Sequence, residues 1–281
     1  MILVFGKTGQ VASELAALPD VLCLGRDAAD LTDPAAGAAA LRRHAPAAVI
    51  NAAAYTAVDR AEEAAGTAMA VNGTAPAAMA ATCAALDIPF VHISTDYVFD
   101  GGGGIPWPTD APTRPLGAYG RSKLAGEQGI TASGARAVIL RTSWVFSAHG
   151  ANFVKTMLRL SETRDALTIV DDQRGGPTSA RAIARACHQI AAQLIAGQGR
   201  TGIYHYSGAP DVSWADFAAE IFVQAGRDVR ITGIPSSDYP TPAKRPLNSR
   251  LDCRATLQAF GIDRPDWRLD LAQTLHDLKV N

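Results

Sequence analysis

Tyr119 and Lys123 stand four residues apart in Tyr119-Gly120-Arg121-Ser122-Lys123, so a helix over this stretch puts both on one face. A phenol next to an ammonium group is equipment for proton transfer. Tyrosine ordinarily titrates near pH ~10, and a neighbouring cation favours the phenolate. Such a phenol can hand a proton to a carbonyl oxygen while hydride arrives at the carbon. Thr95 ends a hydroxyl-bearing run, Ile93-Ser94-Thr95-Asp96, and can hydrogen-bond the same oxygen and polarise it. Read singly, Lys123 suits an amphipathic surface and Thr95 an ordinary strand end. Their weight comes from company.

That company is a glycine loop. Gly6-Lys7-Thr8-Gly9-Gln10-Val11-Ala12 follows a short apolar run and precedes a helical pattern, in the form G-x-x-G-x-x-A. Gly6 allows a tight turn, Gly9 lets a pyrophosphate approach the backbone, and Ala12 is small enough for helix and strand to pack. An ordinary strand–helix turn could look similar. Its place in the first βα unit favours dinucleotide binding. The next strand ends in Leu24-Gly25-Arg26-Asp27, where an acid favours NAD and an arginine can pair with the 2′-phosphate of NADP. Arg26 supports NADPH, Asp27 leaves NADH open, and Asp30-Leu31 follow. A third strand ends in Asn51-Ala52-Ala53-Ala54-Tyr55-Thr56. Its small residues leave room for a cofactor that Tyr55 or Thr56 could touch, or they simply pack beneath a helix.

The elements that must hold these groups alternate. Strands are expected at Ile2–Phe5, Val21–Leu24, Ala47–Ile50, Phe90–Ile93 and Val138–Leu140. Helices are expected at Gly9–Leu18, Pro34–His44, Gly66–Leu86 and Ala118–Thr131. Short apolar strands separated by helices imply βαβ units and a parallel sheet covered on both faces, hence an α/β, doubly wound (Rossmann) fold. Past residue 145 the rhythm loosens, with helices at Phe153–Glu162, Ser179–Ile195 and Ser213–Ala225 and a proline-rich stretch from Pro235 to Pro246. We therefore divide the chain into a dinucleotide-binding domain over 1–146, with returning segments near 171–206. A smaller α+β substrate-binding lobe takes 147–170 and 207–281, with a cleft between the two.

Composition closes off other classes. Hydrophobic residues at 48% and a formal charge of -1 argue against disorder, and offer neither nucleic acid nor an anionic membrane a global field. The four cysteines are far apart and the histidines unclustered, so neither a disulfide framework nor a zinc site is expected. Met1 leads straight into an apolar strand without a basic leader or a membrane-length run, which suits a soluble, cytoplasmic protein.

Whole phrases carry a family resemblance. Ile50-Asn51-Ala52-Ala53-Ala54-Tyr55-Thr56-Ala57-Val58-Asp59, Ser94-Thr95-Asp96-Tyr97-Val98-Phe99-Asp100-Gly101, Arg141-Thr142-Ser143-Trp144-Val145-Phe146 and Arg245-Pro246-Leu247-Asn248-Ser249-Arg250-Leu251 resemble the extended short-chain dehydrogenase/reductases acting on nucleotide sugars. Among these they look like the dTDP-4-dehydrorhamnose reductase family. The resemblance implies NAD(P)H-dependent reduction of a C4 ketone, with Thr95, Tyr119 and Lys123 catalytic. It implies Gly9, Gln10, Val11, Asp30, Leu31, Ala54, Tyr55, Thr56 and Ile93 at the cofactor, joined by Tyr119 and Lys123. Thr95, Asp96 and Trp144 would face the sugar, the indole offering a flat apolar face and the carboxylate an acceptor. Lys244, Arg245 and Arg250 are candidates for the diphosphate, because guanidinium forks onto phosphate oxygens. Some members dimerise around magnesium held by glutamates. Glu14 matches one such position, but Arg181 falls where a second glutamate is expected, so a bridging Mg2+ is not expected and a monomer or weak homodimer is. Two rivals remain: an epimerase or dehydratase of nucleotide sugars, disfavoured by Tyr97 directly after Asp96, and a cofactor-binding regulatory subunit without catalysis.

Overall fold

The computed structural model describes residues 1–280. Six parallel strands form the central sheet: β1 (Ile2–Phe5), β2 (Val21–Leu24), β3 (Ala48–Asn51), β4 (Phe90–Thr95), β5 (Ala137–Thr142) and β6 (Gly202–His205). Their spatial order is β6-β5-β4-β3-β1-β2. The chain runs outward from β1 to β2 and then crosses back to β3, so the direction of winding reverses between β1 and β3. In doubly wound sheets ligands bind outside the carboxyl ends of the strands at such a reversal.

The strands read as unbroken apolar runs because both faces are covered. Ile2, Leu3, Val4 and Phe5 are all buried. Val4, Ile50 and Val138 pack with Leu15, Ile183, Cys187 and Ile190 on one side. Leu3, Val49 and Phe90 pack with Leu41, Met79, Ala80 and Cys83 on the other. Alanine and glycine let the helices come close. A Cβ on Gly126, in the helix Ala118–Ala132, would collide with the Asn72 carbonyl, and one on Gly129 with Ala77.

One expected helix is broken. The stretch expected to be continuous from Gly66 to Leu86 consists of Ala65–Met69, a π-turn at Ala70–Thr74 and a helix Ala75–Ala85. Pro76 lacks the N–H that would donate to the Asn72 carbonyl one turn back, and the ladder widens there instead. The turn has a use, described below.

A second apolar cluster of Val154, Met157, Phe217, Ile221, Phe222, Trp267 and Leu271 forms a separate core, which Phe146 enters from the stretch expected in the first domain. Helices Phe153–Ser161, Trp214–Gln224 and Trp267–Asp277 surround a parallel pair, Ala166–Val170 with Arg230–Ile234. Ser213 and Asp216 close a reciprocal capping box at the start of the middle helix, satisfying backbone donors that would otherwise be orphaned. The chain returns to the large layer twice: helix Ala180–Ile195 covers the sheet, and Phe260 and Ile262 join the same core. Among the described residues no helix is long and apolar enough to cross a membrane.

Candidate active site

A cleft of about 900 Å³ runs over the carboxyl ends of β1 to β5. The glycine loop forms one wall. Gly6 has φ +114°, a conformation other residues resist, and a Cβ there would press on Ala12 Cβ at 3.2 Å and the Ala52 carbonyl carbon at 3.3 Å. Gly9 differs: a Cβ would meet nothing, so its smallness serves what enters the cleft rather than the protein's own packing. Gly9 caps the helix Gln10–Leu15 without a side-chain hydrogen bond, leaving its first N–H groups available to an anion. The open side at Gly9, those donors and the volume along β1 and β3 fit a dinucleotide.

Gln10 and Val11 line the cleft beside the glycines. The Gln10 Oε1 accepts from Asn152 Nδ2 at 3.0 Å and Ser147 Oγ at 3.2 Å, tying the loop to the start of the smaller lobe. Arg26, Asp30 and Leu31 line the far end. Arg26 is largely exposed and sits 3.6 Å from Asp30. Thr32 holds the Asp30 carboxyl below the usual carboxylate range by donating through its N–H and hydroxyl. Lys7, within the glycine loop, adds a second cation to this end. Ala54, Thr56 and Ile93 also line the cleft, whereas Tyr55 packs inward with Ala61, Ala68 and Ala118.

Asn72 pins that loop. It accepts from Tyr55 N–H at 2.8 Å, donates to the Tyr55 carbonyl at 3.0 Å and donates to Ser122 Oγ at 3.0 Å. Its only sequence signal is a lone amide in an alanine-rich run. The π-turn thereby couples the cofactor loop to the helix bearing Tyr119 and Lys123.

Thr95, Asp96, Tyr119 and Lys123 meet in the middle of the cleft. Burial pushes the Tyr119 phenol up to about 12, against the pull of a hydrogen bond with Thr95, while the Asp96 charge adds to the rise. Sequence led us to expect Lys123 to depress this group. Instead Lys123 Nζ donates to the Ile93 carbonyl at 2.7 Å and lies 3.1 Å from His92 Nε2. The phenol therefore keeps its proton at neutral pH, as a proton donor must. Asp96 is wholly buried: Thr95 Oγ1 donates to its Oδ1 at 3.2 Å while Oδ2 has no partner. Burial raises its carboxyl to about 7, opposed by the Ser249 and Thr95 hydroxyls.

One turn beyond Lys123, Glu127 forms a buried two-pronged pair with Arg141 and accepts from Ser94 Oγ. This network links β4, β5 and the helix bearing Tyr119 and Lys123.

Trp144 has φ +49°, a strained position for a bulky residue and a mark of functional geometry. Its ring stacks on Trp214 with centroids 3.7 Å apart and planes 12° apart. Gly175 allows this, since a Cβ there would lie 2.8 Å from Trp144 Cε2. Trp214, unforeseen in the sequence, donates its Nε1–H to Gln173 at 3.1 Å, so the paired indoles form a fixed wall. Lys244 and Arg245 line a neighbouring cavity of about 880 Å³ in the smaller lobe. Arg245 is already engaged, its Nη2 2.8 Å from Asp59, and this guanidinium holds the Asp59 carboxyl low. Arg250 lies outside both cavities, with Nε donating to Asn248 at 2.8 Å.

Glu14 and Arg181 meet directly. Arg181 Nε is 3.3 Å from Glu14 and its Nη2 2.6 Å from Asp277, so a guanidinium occupies the space beside Glu14.

The family model described as RmlD substrate binding domain matches residues 1–280. The dTDP-4-dehydrorhamnose reductase of Sinorhizobium fredii is 44% identical over 274 residues, covering 94% of this chain and 93% of that protein. The crystal structure of a dTDP-4-dehydrorhamnose reductase from Clostridium acetobutylicum superposes with a TM-score of 0.92 at 34% identity, covering 99% of each chain. The Bacillus anthracis reductase, solved in complex with NADP, gives 0.91 at 29% identity over 98% of each.

Proposed function

This chain belongs to the RmlD substrate binding domain family of oxidoreductases, and from that premise we propose that it reduces the C4 ketone of dTDP-4-dehydro-β-L-rhamnose to give dTDP-L-rhamnose, using NADPH with NADH as a possible substitute. One observation carries the proposal: Thr95, Tyr119, Lys123 and Trp144 border the same cleft as Gly9.

When bound, the reduced nicotinamide supplies the hydride. The protein's own groups manage the oxygen. Tyr119, protonated because its hydroxyl is buried, gives its proton to the oxygen as charge develops there, and Thr95 turns its hydroxyl proton from Asp96 Oδ1 to donate to the same atom. Lys123, anchored on the Ile93 carbonyl, holds the cofactor's ribose end, and the glycine loop holds its diphosphate. Asp96 and the Trp144 face orient the deoxyhexose. Arg26 favours the 2′-phosphate of NADPH. Lys244 and Arg245 border the adjoining cavity and suit a nucleoside diphosphate; Arg250 has a weaker claim because it lies apart. The pairing of Arg181 with Glu14 and Asp277 speaks against a bridging Mg2+ and supports a monomer or weak homodimer.

A redox-neutral epimerase or dehydratase recycles its cofactor, whereas a reductase consumes one reduced nicotinamide per product. The test supplies dTDP-4-dehydrorhamnose with NADPH or NADH, follows cofactor oxidation by absorbance and identifies the sugar product. One-to-one oxidation with formation of dTDP-rhamnose is expected. Product without net oxidation would refute reduction.

A further inference from the structure

Behind Lys123 stands a histidine to which the reaction above gives no role. His92, within β4, is completely buried, its Nδ1 3.0 Å from the Asn51 side-chain nitrogen and its Nε2 3.1 Å from Lys123 Nζ. The protons here can be counted. The Ala53 N–H donates to Asn51 Oδ1 at 3.2 Å, which fixes the amide so that its NH2, a pure donor, faces the imidazole. His92 Nδ1 must accept and carries no proton. Burial and the adjacent lysine keep the ring neutral, well below the ordinary histidine range. A neutral ring bare at Nδ1 carries its proton on Nε2, and this N–H points at Lys123.

An ammonium group has three donors and no acceptor, so a charged Lys123 would set N–H against N–H. An amine resolves the conflict: its lone pair accepts from His92 Nε2–H while one of its own N–H bonds donates to the Ile93 carbonyl at 2.7 Å. We propose that at alkaline pH Lys123 is an uncharged amine in the cofactor-free enzyme, held so by His92 and Asn51, and that binding of the anionic dinucleotide draws one proton from solvent onto its lone pair. The second half rests on the cofactor reading above. The balance is simple: a solvent proton joins Nζ, the His92-to-Lys123 hydrogen bond is given up, and the site gains one positive charge. An uncharged amine spares the empty enzyme a buried cation without its anion.

The surroundings fit. Burial brings Lys123 down to about 8 although Glu127 pulls it upward, and Arg141 of β5 already shares the Glu127 charge at 2.6 Å. The other ionisable groups on the elements packed against the Lys123 helix are Tyr119 and Arg121 on that helix, Asp96 and Tyr97 after β4, Asp59, Arg60, Glu62 and Glu63 on the helix Val58–Glu63, and Cys83 on Ala75–Ala85; Glu62 accepts from Ala118 N–H and lies 3.8 Å from Arg121. An incoming diphosphate adds the negative charge that favours the ammonium. His92 is thus a positioning residue that sets the charge of Lys123.

Two measurements on the full chain test this. Nitrogen-15 spectra of the histidine rings in the cofactor-free enzyme, with His92 assigned by comparison with His92→Gln, are expected to give the Nε2–H form. An Nδ1–H or doubly protonated ring overturns the first half, whether or not any cofactor binds. Calorimetric titration with NADPH in buffers of different ionisation heat then counts protons. Uptake close to one proton is expected at about pH 9 and close to none near pH ~6, with affinity falling about tenfold per pH unit above pH ~8. His92→Gln should move the onset of uptake to higher pH, because a glutamine oxygen can accept from a charged lysine, and an unchanged onset overturns the role of His92. Tight binding with no uptake at pH ~9 overturns the second half. Absence of NADPH binding refutes the cofactor reading instead and leaves the nitrogen spectra as the test of the amine.

Discussion

Glu127→Gln isolates the charge that braces the helix bearing Tyr119 and Lys123. Arg141 donates Nε–H to Glu127 Oε1 at 2.9 Å and Nη2–H to Oε2 at 2.6 Å, and each side chain is only 2% exposed. Glutamine keeps one accepting oxygen and turns an NH2 toward the guanidinium, so one strong bond is lost and Arg141 is left buried without its counter-charge. The remaining partners are too weak to compensate: Nη1 reaches the Thr109 carbonyl at 3.3 Å and faces His205 Nε2 at 3.4 Å. Breaking a buried pair in this way costs about 3–5 kcal/mol, which lowers Tm by roughly 5–15 °C in a chain of this size. Urea unfolding is the primary assay, read as a lower midpoint at unchanged slope. A companion variant, Glu127→Met with Arg141→Met, removes both charges and should recover most of the loss. If Glu127→Gln costs less than about 1 kcal/mol, the guanidinium reaches water and the brace is not the buried pair described.

Three further variants probe the cleft. Tyr119→Phe removes the proton donor and keeps the ring, so turnover should fall at least about a hundredfold while NADPH affinity, measured by fluorescence titration, stays near wild type; near-normal turnover would remove Tyr119 from its role. Arg26→Ala should weaken kcat/KM for NADPH by about fivefold, an exposed charge being worth about 1 kcal/mol, and leave NADH nearly unchanged; equal losses would refute a 2′-phosphate contact. Asp96 titrates near 7 when folded against 3.8 ordinarily. Its contribution to stability is therefore complete below pH ~4 and is lost as pH rises through about 7, a span worth up to about 4 kcal/mol. Asp96→Asn should accordingly gain Tm over wild type at pH ~8.5 but not at pH ~4.5, in thermal scans of the free enzyme, and an equal difference at both would show that the carboxyl is not buried as described.

What could be read from sequence follows from how local each cause is. Gly6 needs its positive φ because of the turn it occupies, and Ala12 is small because the turn brings it back within 3.2 Å of a Gly6 Cβ; both causes lie within seven residues, and the loop was legible. So were the apolar strands, whose burial on two faces leaves an unmistakable run. Pro76 was a weaker signal, since a proline is tolerated in the first turn of a helix, and the close approach of Gly126 to the Asn72 carbonyl at the widened ladder joins residues far apart in the chain. His92 was illegible for a stronger reason. Its partners lie 41 residues before it and 31 after it, brought together because the sheet order sets β3 against β4 and the Tyr119 helix over both. Tyrosine–lysine spacing alone suggested a cation serving the phenol, whereas Lys123 Nζ faces His92 Nε2 and the Ile93 carbonyl. Trp144 and Trp214 make the same point at the cleft wall, where 70 residues separate two stacked rings. Residue types name the groups a site possesses, but their protonation and orientation are settled by neighbours that only the crossovers of the fold deliver.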